Sequence, residues 1–526
     1  MSNHDCYSGK CCQYKNYELI LQTKECAATF CRMRDSNLSM KRIIYVLLLA
    51  FLTSGVSFSQ KSLGYNIATM GVASDGNFSP FWFTTNRHGI SSVANKWAYM
   101  RGALSGYVTL NNDWAVNYGA DVVGGKNMTS DVYIHQAYAD VSWRWLRLSV
   151  GKKERCGELK NFNLSTGGLV ESGNAAPIPQ VRLEVPEYKD FFGTNGWFGL
   201  RGHVAYGWFD DGNWQQQWAA DGMRYGKNIL YHSKSLFWRV GNEDKFPLTY
   251  EGGAQFSSQF GGTIYNFMNN PGQTYNPPVG LKGFVDVFFF ASGSNAYSIY
   301  DQLNVAGNHV GSYHLSLKWS EKNWSLRGYY EHMFDDHSAM FWEYGLWKDG
   351  LVGVELQLKQ FKWIDNVVVE YFNSRDQAGP IYHDATAEIP DQISAADNYY
   401  WHYAYPNWQQ YGMMLGTPLV TSCIYNANNR FEVYNNRVEA FHLAFSGKPF
   451  ESFAYTVKLT RSHNWGTYGI PFKEVKGCLS ALFELSYAPE WAKGFGVSGA
   501  FAIDDGELYG NNRGVMFGVR KTGRIF

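Results

Sequence analysis

The sequence predicts an all-β protein, a transmembrane antiparallel β-barrel of about 18 strands. Segments of about ten residues alternate apolar and polar side chains from Gln60 onward, which is the two-residue period of a strand. Aromatic residues make up 17% of the chain, and charged residues make up 17%, below the roughly one quarter typical of soluble domains. The mean hydropathy is −0.33, and no apolar run after Gln60 reaches the roughly 20 residues of a membrane helix.

The first sixty residues contain the features of an export signal. A basic start at residues 40–42 precedes an apolar run at residues 43–52, and the small residues Ser57 and Ser59 follow. This order is typical of a secretory signal peptide, with cleavage expected before Gln60. The apolar run is too short to span a membrane as a helix.

The chain therefore divides into three parts. We interpret residues 1–39 as an extension upstream of the true start, because a signal peptide acts at the N-terminus of a chain. Residues 40–59 are the predicted signal peptide, and residues 60–526 are the predicted barrel domain. The alternative for residues 1–39 is a metal or redox segment, since they hold five of the eight cysteines, but no ligand spacing recurs there.

The composition of the predicted barrel domain excludes two classes of protein. Its three cysteines, Cys156, Cys423 and Cys478, cannot all pair within the chain, so no disulfide framework is expected. The domain carries 39 basic and 42 acidic residues, whereas a nucleic-acid binder needs a basic excess. We therefore expect no nucleic-acid partner.

The alternation is clearest where two predicted strands flank a turn. Leu315, Leu317 and Trp319 alternate with polar residues before the turn at residues 321–323, and the pattern resumes at Trp324. A soluble β-sandwich would also have one polar face, so alternation alone leaves both folds open. The high number of segments and the short turns between them favour the barrel. The polar face is predicted to carry Arg327, Glu331, Glu355, Gln357, Lys359, Glu370, Lys458, Arg461 and Glu484.

Tryptophans cluster at the ends of the predicted strands. A barrel places such rings at the level of the lipid headgroups, and its closed sheet pairs every backbone N–H and C=O group, as hydrocarbon requires. The residues assigned to these aromatic girdles are Trp97, Trp114, Trp143, Trp145, Trp319, Trp324 and Trp363.

The last predicted strand runs from about Val515 to Phe526. A C-terminal aromatic residue is the usual address for the barrel-insertion machinery, so Phe526 supports the barrel interpretation. Phe526 nevertheless has the parity opposite to that of Val515, Phe517 and Val519. A β-bulge near Gly523 would restore the register.

Two stretches lack the pattern of a barrel wall. Residues 161–187 are rich in Gly, Pro, Asn and Ser, and residues 382–425 are long and crowded with aromatic side chains. The long connections of a barrel normally face the outside of the cell while the inner turns stay short. We expect each stretch to lie outside or to fold into the lumen.

Several local sequences resemble the Wzi-type capsule assembly family. The most specific is Ser-Gly-Asn-Ala-Ala-Pro-Ile-Pro at residues 172–179, and the resemblance extends over most of residues 60–526. The chain departs from the family at Cys156, where a larger residue is expected. The matching stretches are residues 80–89, 151–159, 164–186 and 398–418.

The resemblance implies an outer-membrane barrel of about 18 strands whose lumen is partly plugged. It also implies a lectin-like role: the protein binds capsular or other surface polysaccharide and helps to assemble or attach the capsule. The partners are then surface polysaccharide, outer-membrane lipid and the barrel-insertion machinery. We expect a monomer that carries no cofactor and no metal.

The first candidate site is a run of seven rings with polar neighbours. Sugars present apolar C–H patches that stack on aromatic rings, while amides bond their hydroxyl groups. The alternative is that these rings pack a structured loop. The candidate residues are Tyr399, Tyr400, Trp401, Tyr403, Tyr405, Trp408 and Tyr411 with Asn398, Gln409 and Gln410.

A second candidate site joins Trp208, Trp214 and Trp218 with polar neighbours. Other polar clusters favour structural roles. Asp335–His337 and Asp504–Gly506 are predicted turns, since adjacent residues of a strand point to opposite faces. The polar neighbours of the three tryptophans are Asp210, Asp211 and Gln215.

Charged residues near residue 150 are predicted to line the lumen. Glu154, Arg155 and Glu158 are expected to form an ion-pair ladder there, and Arg87 and His88 are expected to be structural. The sequence contains no nucleophile elbow, HExxH, P-loop or dinucleotide motif, so we expect no enzyme activity.

Two competing functions remain open from the sequence. One is a porin or solute channel of the outer membrane, which requires an open lumen. The other is an outer-membrane enzyme acting on glycan or lipid, which requires catalytic groups that converge at one rim of the barrel.

Overall fold

The computed structural model describes most of the chain after Ser59. The predicted extension at residues 1–39 and the predicted signal peptide at residues 40–59 lie outside the described residues. The described residues are 60–291, 306–335, 340, 348–383, 387–388 and 393–526.

Eighteen strands form one sheet in which each strand is antiparallel to its neighbours in chain order. The strands are β1 (Gln60–Asp75), β2 (Lys96–Thr109), β3 (Trp114–Lys126), β4 (Val132–Trp143), β5 (Leu146–Lys152), β6 (Gln180–Lys189), β7 (Phe198–Trp208), β8 (Leu230–Val240), β9 (Leu248–Phe260), β10 (Asn308–Ser320), β11 (Trp324–Asp335), β12 (Gly350–Leu358), β13 (Asn366–Asn373), β14 (Val438–Phe450), β15 (Phe453–Gly466), β16 (Pro471–Tyr487), β17 (Phe495–Gly506) and β18 (Asn512–Arg524).

The sheet closes on itself because β1 pairs with both β2 and β18. The β1–β18 register is unbroken from Gly64, opposite Arg524, to Asp75, opposite Arg513. Closure leaves the sheet with no free edge, so the backbone groups of every wall strand have partners on both sides. The predicted barrel of about 18 strands is therefore confirmed.

Smaller elements lie in the connections between the wall strands. Three helices occur among the described residues, and none of them has the length and apolar character to cross a membrane. The helices are α1 (Phe81–Thr84), α2 (Trp214–Trp218) and α3 (Leu281–Phe289), with 3₁₀ turns at Phe267–Asn269 and Cys423–Tyr425. Short strands outside the wall are Tyr225–Lys227, Thr263–Tyr265, Thr274–Tyr275, Ala378–His383, Ile393–Ala396, Gln409–Gln410 and Met413–Met414.

The two faces of the wall have the reverse of a soluble protein's polarity. Leu317 and Val352 point outward and are 52% and 50% exposed, whereas Glu331 and Glu370 point inward and are each 1% exposed. A soluble sandwich would bury the leucine and expose the glutamates. Exposed apolar and buried charged faces therefore favour a wall with lipid outside and a polar interior.

Two residues of the predicted polar face are not part of it. Arg461 shares the outward parity of Leu459 in β15 and is exposed, so its placement on the inner face was wrong. Arg461 lies toward the end of β15, where a long side chain can reach the headgroup layer. Lys359 lies beyond the end of β12 in a short turn and is also exposed.

The girdle prediction holds for every tryptophan except Trp97. Trp97 is 3% exposed, and its indole N–H donates to the Ser79 hydroxyl at 3.1 Å. It points inward because it shares the parity of Arg101, whose guanidinium pairs with the inward Asp121. The remaining six lie outward at turns on the same end of the barrel: Trp114, Trp143, Trp145, Trp319, Trp324 and Trp363.

The two ends of the barrel differ in the length of their connections. At one end, here the short-turn end, the eight connections have two to eight residues. At the other, here the long-loop end, the nine connections range from four to 64 residues. This division confirms the expected contrast between short turns and long excursions, and it is the arrangement in which bacterial barrels turn their long loops outward.

Two long excursions return to contact the inward face of the wall. They are the first inner segment (residues 153–179) and the second inner segment (residues 397–437). The Ser165 hydroxyl and the Thr166 backbone N–H donate to Glu370 of β13 at 2.6 and 2.7 Å. The predicted non-wall stretch 161–187 ends too late, because β6 begins at Gln180, where outward apolar residues resume.

The described residues of the other non-wall stretch, 382–425, lie outside the wall sheet, as expected. Part of this stretch, residues 384–386 and 389–392, lies outside the described residues. The two inner segments also contact each other, because the Ser172 backbone N–H donates to the Leu415 carbonyl at 2.8 Å.

The C-terminal strand keeps its register without a bulge. Gly523 pairs with Tyr65 in an unbroken ladder, so the suggested β-bulge was wrong. Ile525 instead has the outward parity of Val515, and the Phe526 carbonyl accepts the Leu63 backbone N–H at 3.1 Å.

Two predicted turns are strand ends. Asp504 and Gly506 belong to β17, and Asp504 is buried, accepting the Phe81 backbone N–H at 2.9 Å. Asp335 ends β11 and accepts the Tyr400 backbone N–H at 2.6 Å, while residues 336 and 337 lie outside the described residues. Both carboxylates point inward, where donors from the connections satisfy them.

The outward parity of the wall generates a stability prediction. Val354 is 46% exposed and lies in the middle of β12. Val354→Arg should lower the free energy of unfolding by about 2–4 kcal/mol, because a charge at mid-bilayer depth loses its hydration. Urea unfolding in lipid vesicles measures the change. Val354→Leu is the matched control, and equal stability of the two variants would contradict an outward, lipid-facing position.

Candidate functional site

Most rings of the first candidate site are buried in the interior. Tyr399, Tyr400 and Trp408 are 0% exposed, and Tyr405 is 1% exposed. Sugar contact requires an exposed ring face, so for these four residues the alternative, rings that pack a structured loop, fits the structure. They pack in the main apolar core with residues of the first inner segment, such as Val170. Aromatic rings gain free energy when neighbouring segments cover them and remove their apolar surface from water.

The polar ends of these rings have partners. The Tyr399 hydroxyl donates to Asp349 at 2.9 Å, and the Trp408 indole N–H donates to the Val170 carbonyl at 2.8 Å. The Tyr400 hydroxyl donates to the Leu169 carbonyl. Burial raises the pKa of Asp349 to about 6 although Tyr399 donates to it. These rings connect the two inner segments and offer no open face.

The two glutamines of the first candidate site are also buried. The Gln409 side-chain oxygen accepts the Gly412 backbone N–H at 2.7 Å, and the Gln410 side-chain nitrogen donates to the Asp210 carbonyl at 2.6 Å. Both side chains thus bond backbone groups of neighbouring turns. Asn398 likewise accepts from Asn436 at 2.5 Å.

Trp401 and Tyr403, like Tyr411, differ from the four buried rings because they stay half-exposed. The Trp401 indole N–H donates to Glu432 at 3.1 Å. The Tyr403 ring lies edge-on to Phe267, with 6.1 Å between ring centroids. These two members of the predicted set therefore lie at a surface, next to rings from another connection.

Arg224 holds this surface together from beneath. Its guanidinium donates to the carbonyls of His402 and Tyr403 at 2.7 Å each, and to the Phe431 carbonyl at 3.2 Å. Burial lowers the pKa of Arg224, and the Glu432 carboxylate, 3.7 Å away, partly offsets this. The buried cation thereby fixes three separate turns relative to one another.

A three-stranded sheet supplies further rings that the sequence analysis missed. Tyr225 and Tyr265 lie opposite each other on neighbouring strands and stack with 4.9 Å between centroids. Phe267 lies two residues after Tyr265 and contacts Tyr403. More than 120 residues separate these rings from Trp401 along the chain, so only the fold joins them. We name Tyr225, Tyr265, Phe267, Trp401 and Tyr403 the outer ring patch.

A cavity of about 310 Å³ is lined in part by the connection between β13 and β14, which also contains Glu432. It combines rings, such as Tyr425 and Tyr434, with amides, such as Asn426 and Asn428. The Asn426 side chain donates to the Glu432 carbonyl at 2.8 Å, which links this cavity to the residue that binds Trp401. The sequence gives no signal for the cavity, because its lining comes from three connections and strand β16.

The second candidate site divides between two environments. Trp208 ends β7 on the outward face and is 38% exposed, so it belongs with the lipid-facing rings. Trp214 is 9% exposed and stacks on Trp218 with 5.3 Å between centroids. Trp214 and Tyr411 line a second cavity, of about 170 Å³, together with Gln410.

Asp211 closes the turn before α2 in this second site. Its carboxylate accepts the Asn213 and Gln215 backbone N–H groups at 3.0 and 3.1 Å. Burial raises the pKa of Asp211, and burial also raises the pKa of the neighbouring Tyr411. The acidic neighbours of these tryptophans therefore order the local backbone.

The expected ion pairs near residue 150 are present for Glu154 and Glu158, whereas Arg155 bonds only neutral acceptors and is not part of the predicted ladder. Glu154 pairs with Arg101 at 2.9 Å and with His135 at 2.8 Å, and Glu158 pairs with Arg201 at 2.7 Å. Burial alone would raise the pKa of Glu154, but the His135 hydrogen bond and the Arg101 charge lower it overall.

Asp121, His135 and Glu154 form a group with metal-ligand chemistry, their ligand atoms lying within 4.8 Å of one another. Arg101 contacts both carboxylates, at 2.5 and 2.9 Å. The guanidinium thus supplies the positive charge that a metal ion would bring, and the residues fit an ion-pair network better than a metal centre.

Arg87 and His88 have structural contacts. Arg87 pairs with Glu484 of β16 at 3.4 Å. The His88 ring stacks on Phe162 with 4.9 Å between centroids, and its backbone N–H donates to the Gly173 carbonyl at 2.6 Å. Both residues attach the connection after β1 to its surroundings.

Comparisons with known proteins identify the fold. No family model matches the chain, and no curated protein sequence does. Wzi of Escherichia coli, described as an outer membrane protein involved in group 1 capsule assembly and a carbohydrate-binding β-barrel, has 12% identity, covers 94% of this chain and 91% of its own, and gives a TM-score of 0.53.

Acinetobacter baumannii OccAB2 has 12% identity and a TM-score of 0.48, covering 90% of this chain and 100% of its own. Pseudomonas aeruginosa OccK5 has 10% identity and a TM-score of 0.46, with the same coverage. The chain thus shares the 18-strand barrel fold of outer-membrane proteins.

Proposed function

We propose that the protein binds capsular or other surface polysaccharide at its long-loop end and helps to assemble or attach the capsule at the outer membrane. The observation that carries this proposal is the outer ring patch, which combines half-exposed aromatic rings with polar groups. The proposed activity is lectin-like and involves no catalysis.

The chemistry of the patch suits a sugar chain. Aromatic faces stack on the C–H patches of pyranose rings, and charged or amide side chains bond the hydroxyl groups between them. Glu432 and Asn269 contact each other at 3.3 Å beside Trp401, and Lys227 lies over the rings of Tyr225 and Tyr265. The neighbouring cavity adds room for a further sugar unit, with Asn428 and Tyr434 at its rim.

Two lines of likeness support the polysaccharide class. The blocks at residues 80–89, 151–159, 164–186 and 398–418 resemble the Wzi-type family, and the fold matches that of Wzi, which is itself described as carbohydrate-binding. Of the seven rings in the first candidate site, Trp401, Tyr403 and Tyr411 are the half-exposed ones left for this role.

An anchor requires a lumen that does not conduct. In our proposal the two inner segments plug the barrel: they fill its interior with rings such as Trp408 and bond inward carboxylates such as Glu370. We further propose that residues 40–59 direct export, that the long-loop end faces outside, and that the protein acts as a monomer in outer-membrane lipid.

Removing the exposed rings should weaken polysaccharide binding without preventing folding. The double variant Trp401→Ala, Tyr403→Ala should bind capsular polysaccharide at least about tenfold more weakly, equivalent to about 1.4 kcal/mol. Biolayer interferometry on the detergent-solubilised barrel measures affinity, and heat-modifiable migration reports folding. Trp491→Ala is the matched control, because Trp491 is 83% exposed at the short-turn end. Equal loss in both proteins would contradict the assignment.

Replacing a buried ring should lower the stability of the protein. Trp408→Ala leaves a large cavity between the inner segments and should lower stability by about 3–5 kcal/mol. Thermal unfolding monitored by near-ultraviolet circular dichroism measures this loss. A variant that keeps wild-type stability but loses polysaccharide binding would instead place Trp408 in the binding surface.

Conductance measurements distinguish the proposed anchor from the competing channel function, because a plugged lumen does not conduct. The intact protein should give no large steady current in planar bilayers, whereas deletion of residues 397–437 should open a conducting lumen. A large steady current from the intact protein would favour the porin. Loss of cell-bound capsule on deletion of the gene, with capsule shed to the medium, is the expected result for the anchor.

A further inference from the structure

A cavity of about 180 Å³ lies inside the barrel between the first inner segment and strands β5 to β8. Its lining is dominated by basic side chains. The five cations are Arg147, Lys153, Arg155, Arg182 and Arg201, accompanied by the two carboxylates Glu158 and Glu184. We name this space the cationic cavity. It belongs neither to the outer ring patch nor to the proposed polysaccharide surface.

The ion pairs around the cavity leave an excess of positive charge. Arg201 pairs with Glu158 at 2.7 Å, and Lys153 pairs with Asp140 at 2.6 Å. Glu184 serves two arginines at once, Arg182 at 2.7 Å and Arg147 at 3.5 Å. Three carboxylates therefore face five cations.

Arg155 has no carboxylate within ion-pair distance among the residues that the structure describes. Its guanidinium donates to the Ser149 hydroxyl at 3.2 Å and to the Lys153 carbonyl at 3.1 Å, which are both neutral acceptors. Burial and then the nearby positive charge of Arg182 lower the pKa of Arg155 to about 10. A partly buried guanidinium without a counter-charge is electrostatically costly unless an anion approaches it.

Part of the cavity lining lies toward the short-turn end. Arg147 lies next to the start of β5, and Arg201 lies close to the start of β7, both at that end of the wall. A smaller cavity adjoins it and shares the lining residues Lys153, Arg155, Cys156, Glu158 and Arg182. We therefore expect an anion to approach from the end opposite to the outer ring patch.

We propose that the cationic cavity is a binding site for an oxyanion, the carboxylate or phosphate group of a solute that enters from the short-turn end. Guanidinium groups bind such anions through paired N–H donors, and a low-dielectric, water-filled recess strengthens the attraction. Arg155 contributes one uncompensated charge, and Arg147 and Arg182, which share Glu184, contribute the other. The proposal is independent of polysaccharide binding at the long-loop end.

Cys156 provides a reporter within the cavity. Its thiol is exposed and lines both cavities, whereas Cys423 and Cys478 are buried. An anionic thiosulfonate (sulfonatoethyl) should modify the purified barrel at Cys156 about tenfold faster than a cationic one (trimethylammonioethyl) at low salt. High salt should reduce this ratio, because it screens the field. Cys156→Ser gives the background from all other thiols.

Variants identify the source of the charge. Arg155→Gln combined with Arg182→Gln should bring the ratio of the two rates close to one, while heat-modifiable migration confirms that the barrel has folded. Arg144→Gln is the matched control, since Arg144 lies in the β4–β5 turn and pairs with Asp113 at 3.0 Å. A ratio near one in the parent protein, or an equal drop in the control, would overturn the proposal.

Ligand protection then distinguishes the two sources of an oxyanion. Inorganic phosphate, sodium glucuronate and glucose are tested separately against modification of Cys156 by the anionic reagent. Protection by phosphate alone assigns a phosphate group, protection by glucuronate alone assigns a carboxylate, and protection by both assigns a general oxyanion site. Protection by neither, or equal protection by glucose, would overturn the proposal. Loss of polysaccharide binding at the outer ring patch would leave this result unaffected.

Discussion

The closed ring of backbone hydrogen bonds is the constraint on which the rest of this structure depends. Hydrocarbon cannot satisfy an open strand edge, so the pairing of β1 with β18 must be complete, as the unbroken ladder from Gly64 to Asp75 shows. Once the wall is closed, its alternating side chains divide into an apolar outer surface and a polar inner surface. The inner surface therefore carries buried charges such as Glu331, Glu355 and Glu370, which need hydrogen-bond donors or opposite charges.

The two inner segments supply hydrogen-bond donors to these inward carboxylates. Glu370 accepts hydrogen bonds from Ser165, Thr166 and the Tyr329 hydroxyl, so one wall carboxylate is satisfied by two connection residues and one neighbour in the wall. Asp335 is satisfied in the same way by the Tyr400 backbone. The polar wall and the segments that contact it therefore stabilise each other.

The sequence predicted the wall well because alternation is a local property. The outward position of Leu317 and the inward position of Glu370 each follow from the alternation within the residue's own strand. The errors arise where distant contacts decide the outcome. Asp504 lies within β17, paired with Asn512, and accepts the distant Phe81 backbone N–H, and Tyr400 is covered by a segment more than 200 residues away. No local pattern contains that information, and the outer ring patch escaped notice for the same reason.

Arg224 has a consequence for recognition that extends beyond its contacts. One buried guanidinium donates to the carbonyls of His402, Tyr403 and Phe431, so a single side chain holds together loops that are distant in sequence. Loops fixed in this way lose little conformational freedom when a ligand arrives, because that entropy was already given up during folding. For the proposed polysaccharide ligand, weak individual contacts with such a preordered surface would add up along the chain.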